Sequence, residues 1–245
     1  TFCKYLADSS AEIIRPYFRS KVAIEEKQDL SPVTIADKKA EEKMRELIMK
    51  EYPNHGIIGE EFGKHNQQSE YQWVLDPIDG TKSFICGAHT FGTMIGLLYK
   101  GEPILGVINQ PILNEFMIGD NLATTLNGNV CKVRECNELK NSVLLTTDHL
   151  NIEKYQNIDK FNKLIRNVKI YRLWGDCYGY LLLAAGYADI MIDPIMNLWD
   201  LAALIPIVKG SGGTITDYYG GEAVKGESII AASPNIHKKV LDMLR

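Results

Sequence analysis

Short β-rich segments separated by turn signals occupy the middle of the chain, from Gly56 to about Val133. Amphipathic helical patterns precede this region, and strand and helix patterns alternate after it. Turn signals such as Lys100-Gly101-Glu102-Pro103 are typical of an antiparallel meander, whereas the later alternation is typical of an α/β arrangement. The order of patterns predicts an α+β half, residues 1–135, followed by an α/β half, residues 136–245. Since no Pro/Gly/Ser linker separates them, we expect one compact unit.

Apolar residues at helical spacing predict the main helices. They fall at residues 1–19 with a bend at Pro16, then at 35–52, 152–165, 177–185, 198–209 and 234–244. The last four belong to the second half, where strands near Val143, Val168, Asp189, Thr214 and Ile229 separate them.

The composition is that of a globular protein, with 45% hydrophobic and 24% charged residues and a formal net charge of -4. Basic residues are scattered among acids, and no apolar run has the length of a membrane span. We therefore expect neither a nucleic acid nor a membrane as a partner. No secretory signal is expected. Cysteines at irregular spacing argue against a disulfide framework and predict a reducing compartment, the cytoplasm.

One motif joins an apolar strand to a pair of acids: Trp73-Val74-Leu75-Asp76-Pro77-Ile78-Asp79-Gly80-Thr81. Pro77 fixes its own φ and disfavours helix at Asp76, while Gly80 lets the backbone turn sharply and approach a ligand closely. We therefore expect both carboxylates to face one cavity at the end of a strand. An isolated Asp-Gly-Thr would instead favour a capping turn. Two acids in this setting favour a metal site.

Further acids lie at other points of the chain where an apolar segment begins or ends. Glu60 follows the short strand Ile57-Ile58, and Asp200 lies near the start of the apolar helical segment Leu198 to Ala203. Taken alone, Glu60 is equally well explained by a solvated acidic turn, and Asp200 by a helix cap. Together with the two strand-end acids, they predict a cluster of carboxylates at one site.

Several motifs, taken in order, resemble the signatures of the inositol monophosphatase superfamily. They are Ser31-Pro32-Val33-Thr34 with the Asp37 that follows, Gly59-Glu60-Glu61, Asp76-Pro77-Ile78-Asp79-Gly80-Thr81, Trp199-Asp200-Leu201-Ala202-Ala203 and Gly210-Ser211-Gly212-Gly213. The resemblance covers nearly the whole chain. It implies the five-layered αβαβα sandwich of the inositol monophosphatase and fructose-1,6-bisphosphatase type, a Mg²⁺-dependent phosphomonoesterase and a homodimer.

The resemblance also implies roles for individual residues. It assigns a first Mg²⁺ to Glu60, Asp76 and the Ile78 carbonyl, and a second to Asp76, Asp79 and Asp200. It places Asp37 near a third, more weakly bound ion. It places the attacking water beside Glu60 and Thr81. The backbone N–H groups of Gly80 and Thr81, at a helix start, can bind the phosphate oxygens.

The expected chemistry agrees with these assignments. Carboxylates packed into one cleft repel one another, and their pKa values rise unless divalent cations neutralise them. A set of hard oxygen donors, without sulfur or imidazole, favours Mg²⁺ over Zn²⁺. Two such ions roughly 3.5–4 Å apart can activate a water, neutralise the phosphate and stabilise the leaving alkoxide. The sequence thus predicts hydrolysis of a small soluble phosphate ester by metal-activated water, without a covalent phosphoenzyme.

The alcohol part of the substrate is predicted from the segment Leu173 to Asp193. Asp176 stands where inositol monophosphatases usually carry a small residue, and it either contacts the substrate or caps the following helix. Asp193 falls where the family places an acid that contacts the alcohol. Two acids around the alcohol suit a leaving group that bears an ammonium. Histidinol phosphate is therefore the preferred substrate.

The substrate assignment leaves alternatives open. The segments Asp76 to Phe116 and Trp174 to Asp217 look most similar to the histidinol-phosphatase branch of the superfamily. Inositol 1-phosphate is the first alternative, because inositol hydroxyls also donate to carboxylates. A non-catalytic protein that binds metal or phosphate is the second. Lys27 either helps to organise the cleft or is an ordinary surface lysine.

Overall fold

The computed structural model describes residues 1–20, 24–26 and 32–245 of the chain. Lys27, and Ser31 of the Ser-Pro-Val-Thr motif, therefore lie outside the described residues. Where the chain is described, no helix combines the length and apolar character that a bilayer crossing requires.

Two long helices belong to the first part of the described chain, and helices alternate with strands in its second half. The α-helices are α1 (Phe2–Ile14), α2 (Ile35–Glu51), α3 (Thr81–Ile85), α4 (His149–Tyr155), α5 (Ile158–Ile165), α6 (Asp176–Ala184), α7 (Leu198–Leu201), α8 (Leu204–Gly210) and α9 (Pro234–Leu244). Short 3-10 turns are formed by Arg15–Tyr17, Leu139–Asn141 and Ala223–Lys225. The bend predicted at Pro16 is the first of these turns.

The strands are short, as the sequence pattern predicts. They are β1 (Ile24–Glu26), β2 (Pro32–Thr34), β3 (Gly56–Gly59), β4 (Gly63–His65), β5 (Tyr71–Asp79), β6 (Gly92–Tyr99), β7 (Glu102–Gln110), β8 (Glu115–Gly119), β9 (Thr124–Leu126), β10 (Asn129–Val130), β11 (Val143–Thr146), β12 (Ile170–Arg172), β13 (Ile190–Asp193), β14 (Thr214–Thr216) and β15 (Ile229–Ala232).

Two long helical predictions are wrong, because each segment forms two helices. In the segment 152–165, the Asn157 side chain accepts a hydrogen bond from the Lys160 N–H at 3.0 Å and starts a new helix, α5. In the segment 198–209, Pro206 has no N–H, and its ring would collide with the carbonyl of Ala202 in a continuous helix. The break between α7 and α8 therefore falls at residues 202–203.

Within the described ranges, two larger sheets carry the fold, with strand orders β10-β9-β8-β7-β6-β5-β3-β4 and β12-β11-β13-β15-β14. In the first sheet, β5 to β10 form the predicted antiparallel meander. Strand β3 pairs with β5 in parallel and sets Gly59 opposite Leu75. In the second sheet, β11 is parallel to both β12 and β13.

Helices and sheets stack in five layers. α1 and α2 cover one face of the first sheet, α6 and α8 lie between the two sheets, and α5 and α9 cover the outer face of the second. Apolar side chains fill each gap between layers, as expected for elements with one buried face. This order confirms the predicted αβαβα sandwich. The division at residue 135 falls between β10 and β11 and stays a prediction, since α6 and α8 pack against both sheets.

Candidate active site

The end of β5 carries Asp76 and Asp79 with their carboxylates on one side of the sheet. Residues three apart in a regular strand point to opposite faces. Here the pairing of β5 with β6 shifts register between Asp76 and Asp79, and the Thr93 hydroxyl donates to the Pro77 carbonyl at 2.8 Å within the irregularity. A bulge of this kind redirects a side chain. Both acids therefore reach the same site.

Asp200 completes a cluster with these two residues. Carboxylate oxygens of Asp76, Asp79 and Asp200 all lie within 4.8 Å of one another. Asp200 is the third residue of α7, and its Oδ2 accepts hydrogen bonds from the Asn197 backbone N–H at 2.7 Å and side-chain amide at 3.2 Å. Asp200 therefore caps α7 and belongs to the cluster at the same time, because the hydrogen bonds from Asn197 fix its carboxylate where α7 packs against β5.

Glu60 reaches the cluster through the parallel pairing of β3 with β5. Its backbone N–H donates to the Leu75 carbonyl at 3.1 Å, which places it beside Asp76. The negative charge of Glu60 adds to the rise in pKa of both Asp76 and Asp200. Glu60 is thus a partly exposed residue of the turn after β3 that also lies next to the cluster.

Burial and mutual repulsion raise the pKa values of the cluster acids. For Asp76, burial raises the pKa well above its usual range, and the charges of Glu60, Asp79 and Asp200 raise it further. Burial likewise raises the pKa of Asp79, with Asp176 and Asp200 adding to the effect. Burial also raises the pKa of Asp200 to about 7. Such a cluster is stable in ionised form only beside positive charge.

Two carboxylate oxygens at the site are buried without a hydrogen-bond donor among the described residues: Asp76 Oδ1 and Asp37 Oδ1. The other oxygen of Asp37 accepts from the Thr34 N–H at 2.9 Å and from the Thr34 hydroxyl at 2.6 Å, and together they form a capping box at the start of α2. Buried anionic oxygens without donors are expensive. A bound divalent cation would supply the missing partner, so the residues present fit a metal site.

Gly80 makes the turn between β5 and α3 with φ +84°. A Cβ at this position would lie 2.8 Å from both Asp176 Oδ2 and the Thr90 carbonyl oxygen. Conformation and space therefore both require glycine. In the next residue, the Thr81 hydroxyl donates to the carbonyl of the buried Ile78 at 3.1 Å.

Asp176 is not the cap of α6, and the capping interpretation is wrong. It is the first residue of the helix, and the cap residue is Gly175. The first N–H groups of α6 donate to other side chains: that of Asp176 to the Thr147 hydroxyl at 2.8 Å and that of Cys177 to Asp79. Its carboxylate accepts from the Ser83 hydroxyl at 2.9 Å, and its φ of +49° is unusual for a residue with a side chain. Burial raises the pKa of Asp176 to about 7; the Ser83 hydrogen bond opposes the rise and the charge of Asp193 adds to it.

Asp193 ends β13 and is almost fully buried. The Tyr180 hydroxyl donates to Asp193 Oδ2 at 2.8 Å and the Thr147 N–H to Oδ1 at 3.2 Å. Burial raises its pKa, while both hydrogen bonds lower it. These partners hold the carboxylate in one orientation.

One cavity of about 640 Å³ brings most of the predicted residues together: its lining includes Glu60, Asp79, Gly80, Thr81, Asp176, Asp193 and Asp200. Asp37, Asp76 and Ile78 are buried and do not line it. The lining also includes Ser83, Thr147, Asp148 and Asn151, which the sequence reasoning missed. The signal for the last three was a polar run at the carboxyl end of a parallel strand, β11.

The chain is similar to known proteins over nearly its whole length. The model of the inositol monophosphatase family matches residues 2–245. "Bifunctional phosphatase IMPL2, chloroplastic" from Arabidopsis thaliana is 45% identical over 98% of this chain and 72% of its own length. A histidinol-phosphatase from Chlorobaculum parvum is 37% identical over 93% of this chain and 89% of its own. An inositol monophosphatase structure from Zymomonas mobilis has a TM-score of 0.88 and 39% identity, covering 98% of this chain and 95% of that one.

Proposed function

This chain belongs to the inositol monophosphatase family, and from that premise we propose that it is a Mg²⁺-dependent phosphatase whose preferred substrate is histidinol phosphate. Hydrolysis of phosphate monoesters is the activity of the family, and the chain is an enzyme of this type. One observation carries the finer assignment. The same cavity is lined by two acids of the carboxylate cluster, Asp79 and Asp200, and by two acids outside that cluster, Asp176 and Asp193.

The donor set supports Mg²⁺ as the metal. Glu60, Asp76 and the Ile78 carbonyl would hold one ion, Asp76, Asp79 and Asp200 a second, and Asp37 would lie near a third. The Ile78 carbonyl already accepts from Thr81, but a carbonyl oxygen has a second lone pair for a cation. When bound, divalent cations neutralise the phosphate and lower the pKa of water.

The remaining roles belong to the chain's own groups. Because the Thr81 hydroxyl donates its proton to Ile78, its oxygen is left as an acceptor that orients the attacking water. The Glu60 carboxylate is the second acceptor for that water. The backbone N–H groups of Gly80 and Thr81 hold the phosphate. Water attacks phosphorus directly, and the ester oxygen leaves as the alcohol.

Asp176 and Asp193 would select the alcohol. Both are held by hydroxyl donors, Ser83 and Tyr180. Asp193 is almost fully buried, and Asp176 is partly buried in the wall of the cavity. An ammonium beside Asp176 would restore its ionised form, because positive charge opposes the burial that raises its pKa. A charged hydrogen bond in such a setting contributes about 1.5–3 kcal/mol. A hydrogen bond from a neutral polyol hydroxyl to the same carboxylate contributes less binding free energy.

Inositol 1-phosphate is the second candidate. The solved relative from Zymomonas mobilis is named an inositol monophosphatase, whereas the relative from Chlorobaculum parvum is named a histidinol-phosphatase. Hydroxyl groups of inositol can also donate to Asp176 and Asp193.

The test compares phosphate release from histidinol phosphate and inositol 1-phosphate, with Mg²⁺ and with excess chelator. Asp176→Asn keeps the shape and removes the charge; we expect kcat/KM for histidinol phosphate to fall about 10-fold or more and that for inositol 1-phosphate less than about threefold. Asp242→Asn, an exposed change on α9, is the matched control and should alter neither. Equal losses on both esters would contradict the ammonium contact. Hydrolysis that persists in excess chelator would contradict the dependence on a metal ion.

Compartment and assembly are further parts of the proposal. All five cysteines are free thiols in the structure, which supports a reducing compartment, and we propose the cytoplasm. We also propose a homodimer, for which Leu173 and Trp174, each about half exposed, offer apolar surface. Light scattering on the purified protein tests the dimer, and a monomer at micromolar concentration would contradict it.

A further inference from the structure

Glu41 is a fully buried carboxylate on α2 that none of the roles above uses. It lies one helical turn after Asp37 and one turn before Arg45, so the three side chains share a face of the helix. Arg45 is itself largely covered, with a side chain 12% exposed. A buried charge of this kind requires partners.

The partners of Glu41 belong to the turn that follows β3. Its Oε2 accepts from the Glu61 N–H at 2.7 Å, and its Oε1 accepts from the Phe62 N–H at 3.2 Å and from Arg45 Nη1 at 2.8 Å. The same Arg45 nitrogen donates to the Gly63 carbonyl at 3.0 Å. One ion pair thus binds three consecutive residues of the turn through their backbones.

The fit between helix and turn is close at Gly59. A Cβ at this position would lie 1.9 Å from Glu41 Oε1 and 2.8 Å from Arg45 Nη1. The requirement for glycine here is one of space, because the backbone must approach the ion pair. The contact therefore depends on the detailed position of the chain just before Glu60.

Glu60 stands between two anchors. On one side, its own N–H donates to the Leu75 carbonyl of β5 at 3.1 Å. On the other side, the N–H of the next residue, Glu61, donates to Glu41. The backbone that carries the Glu60 carboxylate is thus fixed to β5, which carries Asp76, and to α2.

Stability alone is a weak explanation for this arrangement. Buried ion pairs contribute little net stability, and apolar replacements of similar volume are often neutral or stabilising. A carboxylate with two backbone N–H donors does, however, define the position of a turn closely. We infer that Glu41, together with Arg45, is a positioning residue that holds Glu60 within reach of the carboxylate cluster. This inference rests on the proposed role of Glu60 as a metal ligand.

The test measures Mg²⁺ binding to the substrate-free enzyme by calorimetry. Glu41→Gln has the same shape but presents an amide NH₂ to a backbone N–H or to Arg45, so the turn loses an acceptor. We expect Mg²⁺ affinity to fall about 10-fold, as for other groups that orient ligands. The matched control is Glu46→Gln, an exposed residue of the same helix paired with Lys43, which should leave affinity within about twofold.

A double-mutant cycle with Glu60→Gln separates positioning from a general effect on the fold. If Glu41 acts through Glu60, Glu41→Gln lowers Mg²⁺ affinity in the wild type and has little further effect in the Glu60→Gln background. At saturating Mg²⁺, KM for the ester stays near its wild-type value in Glu41→Gln. Additive losses in the cycle, or unchanged affinity in Glu41→Gln, would overturn the inference.

The controls distinguish the two levels of failure. A wild-type enzyme without Mg²⁺ uptake, or a Glu60→Gln variant with unchanged affinity, contradicts the proposed function. If the wild type and Glu60→Gln bind Mg²⁺ as expected but Glu41→Gln binds it as tightly as the wild type, only the positioning role is contradicted. Should Glu41→Gln fail to fold, Arg45→Met decides, since it removes the contact with Gly63 and leaves Glu41 in place; we expect affinity about threefold lower, and an unchanged value would overturn the inference.

Discussion

Replacement of Asp37 by asparagine should change how the stability of the metal-free protein depends on pH. Asp37 is 1% exposed, and burial raises its pKa from 3.8 to about 6, with the charge of Glu60 adding to the rise. The unfolded chain, with the lower pKa, loses its proton first as pH rises. Between the two pKa values the folded state therefore binds more protons, and its free energy of unfolding falls with pH.

The size of the effect follows from the shift. Each pKa unit corresponds to about 1.4 kcal/mol, so a rise of about two units removes roughly 3 kcal/mol of stability once the pH exceeds 6. About half of this loss falls between pH 5 and pH 8. The asparagine side chain of the variant does not titrate, and its carbonyl can still accept from the Thr34 N–H and hydroxyl. The difference between variant and wild type therefore isolates one carboxyl.

The assay is urea unfolding of both proteins in excess chelator at pH 5 and pH 8. We expect the stability of Asp37→Asn relative to wild type to increase by about 1–2 kcal/mol from the lower to the higher pH. Adding Mg²⁺ should stabilise the wild type more at pH 8, because ionised ligands bind the cation. A relative stability that is constant, or that falls with pH, would refute the reasoning that burial controls this carboxyl.

Two further substitutions test the site from other directions. Gly80→Ala introduces a side chain at φ +84° and 2.8 Å from Asp176 Oδ2 and the Thr90 carbonyl oxygen; we expect kcat to fall about 100-fold or more, and steady-state kinetics near the wild-type rate would contradict this. Asp200→Asn keeps an acceptor for the Asn197 N–H and removes a buried cluster charge. We therefore expect metal-free stability at pH 7 at least equal to that of wild type by urea unfolding, with Mg²⁺ affinity at least about 10-fold lower by calorimetry. Asp200→Ala is the companion variant that also loses the cap, and equal stability of the two would contradict the capping role.

Local features of the amino-acid order were enough to predict much of this protein. The turn at Gly80 and the order of strands and helices depend on neighbouring residues, so they are visible without the fold. The resemblance to a family supplied the ligand set, of which Asp76, Asp79 and Asp200 converge as expected. Breaks in helices were less accessible, because Pro206 and Asn157 compete with strong apolar periodicity around them.

Tertiary structure alone decided which of these acids meet and what holds them. The parallel pairing of β3 with β5 puts Glu60 beside Asp76, and the bulge in β5 turns Asp79 to the same side. Asp79 also accepts from the Cys177 N–H, a contact across 98 positions of the chain. Register and packing between distant segments set such contacts, and they depend on the surfaces of both partners at once. For the same reason Glu41, an ordinary acid in a helical run, acquires its partners only when α2 packs beside the turn after β3.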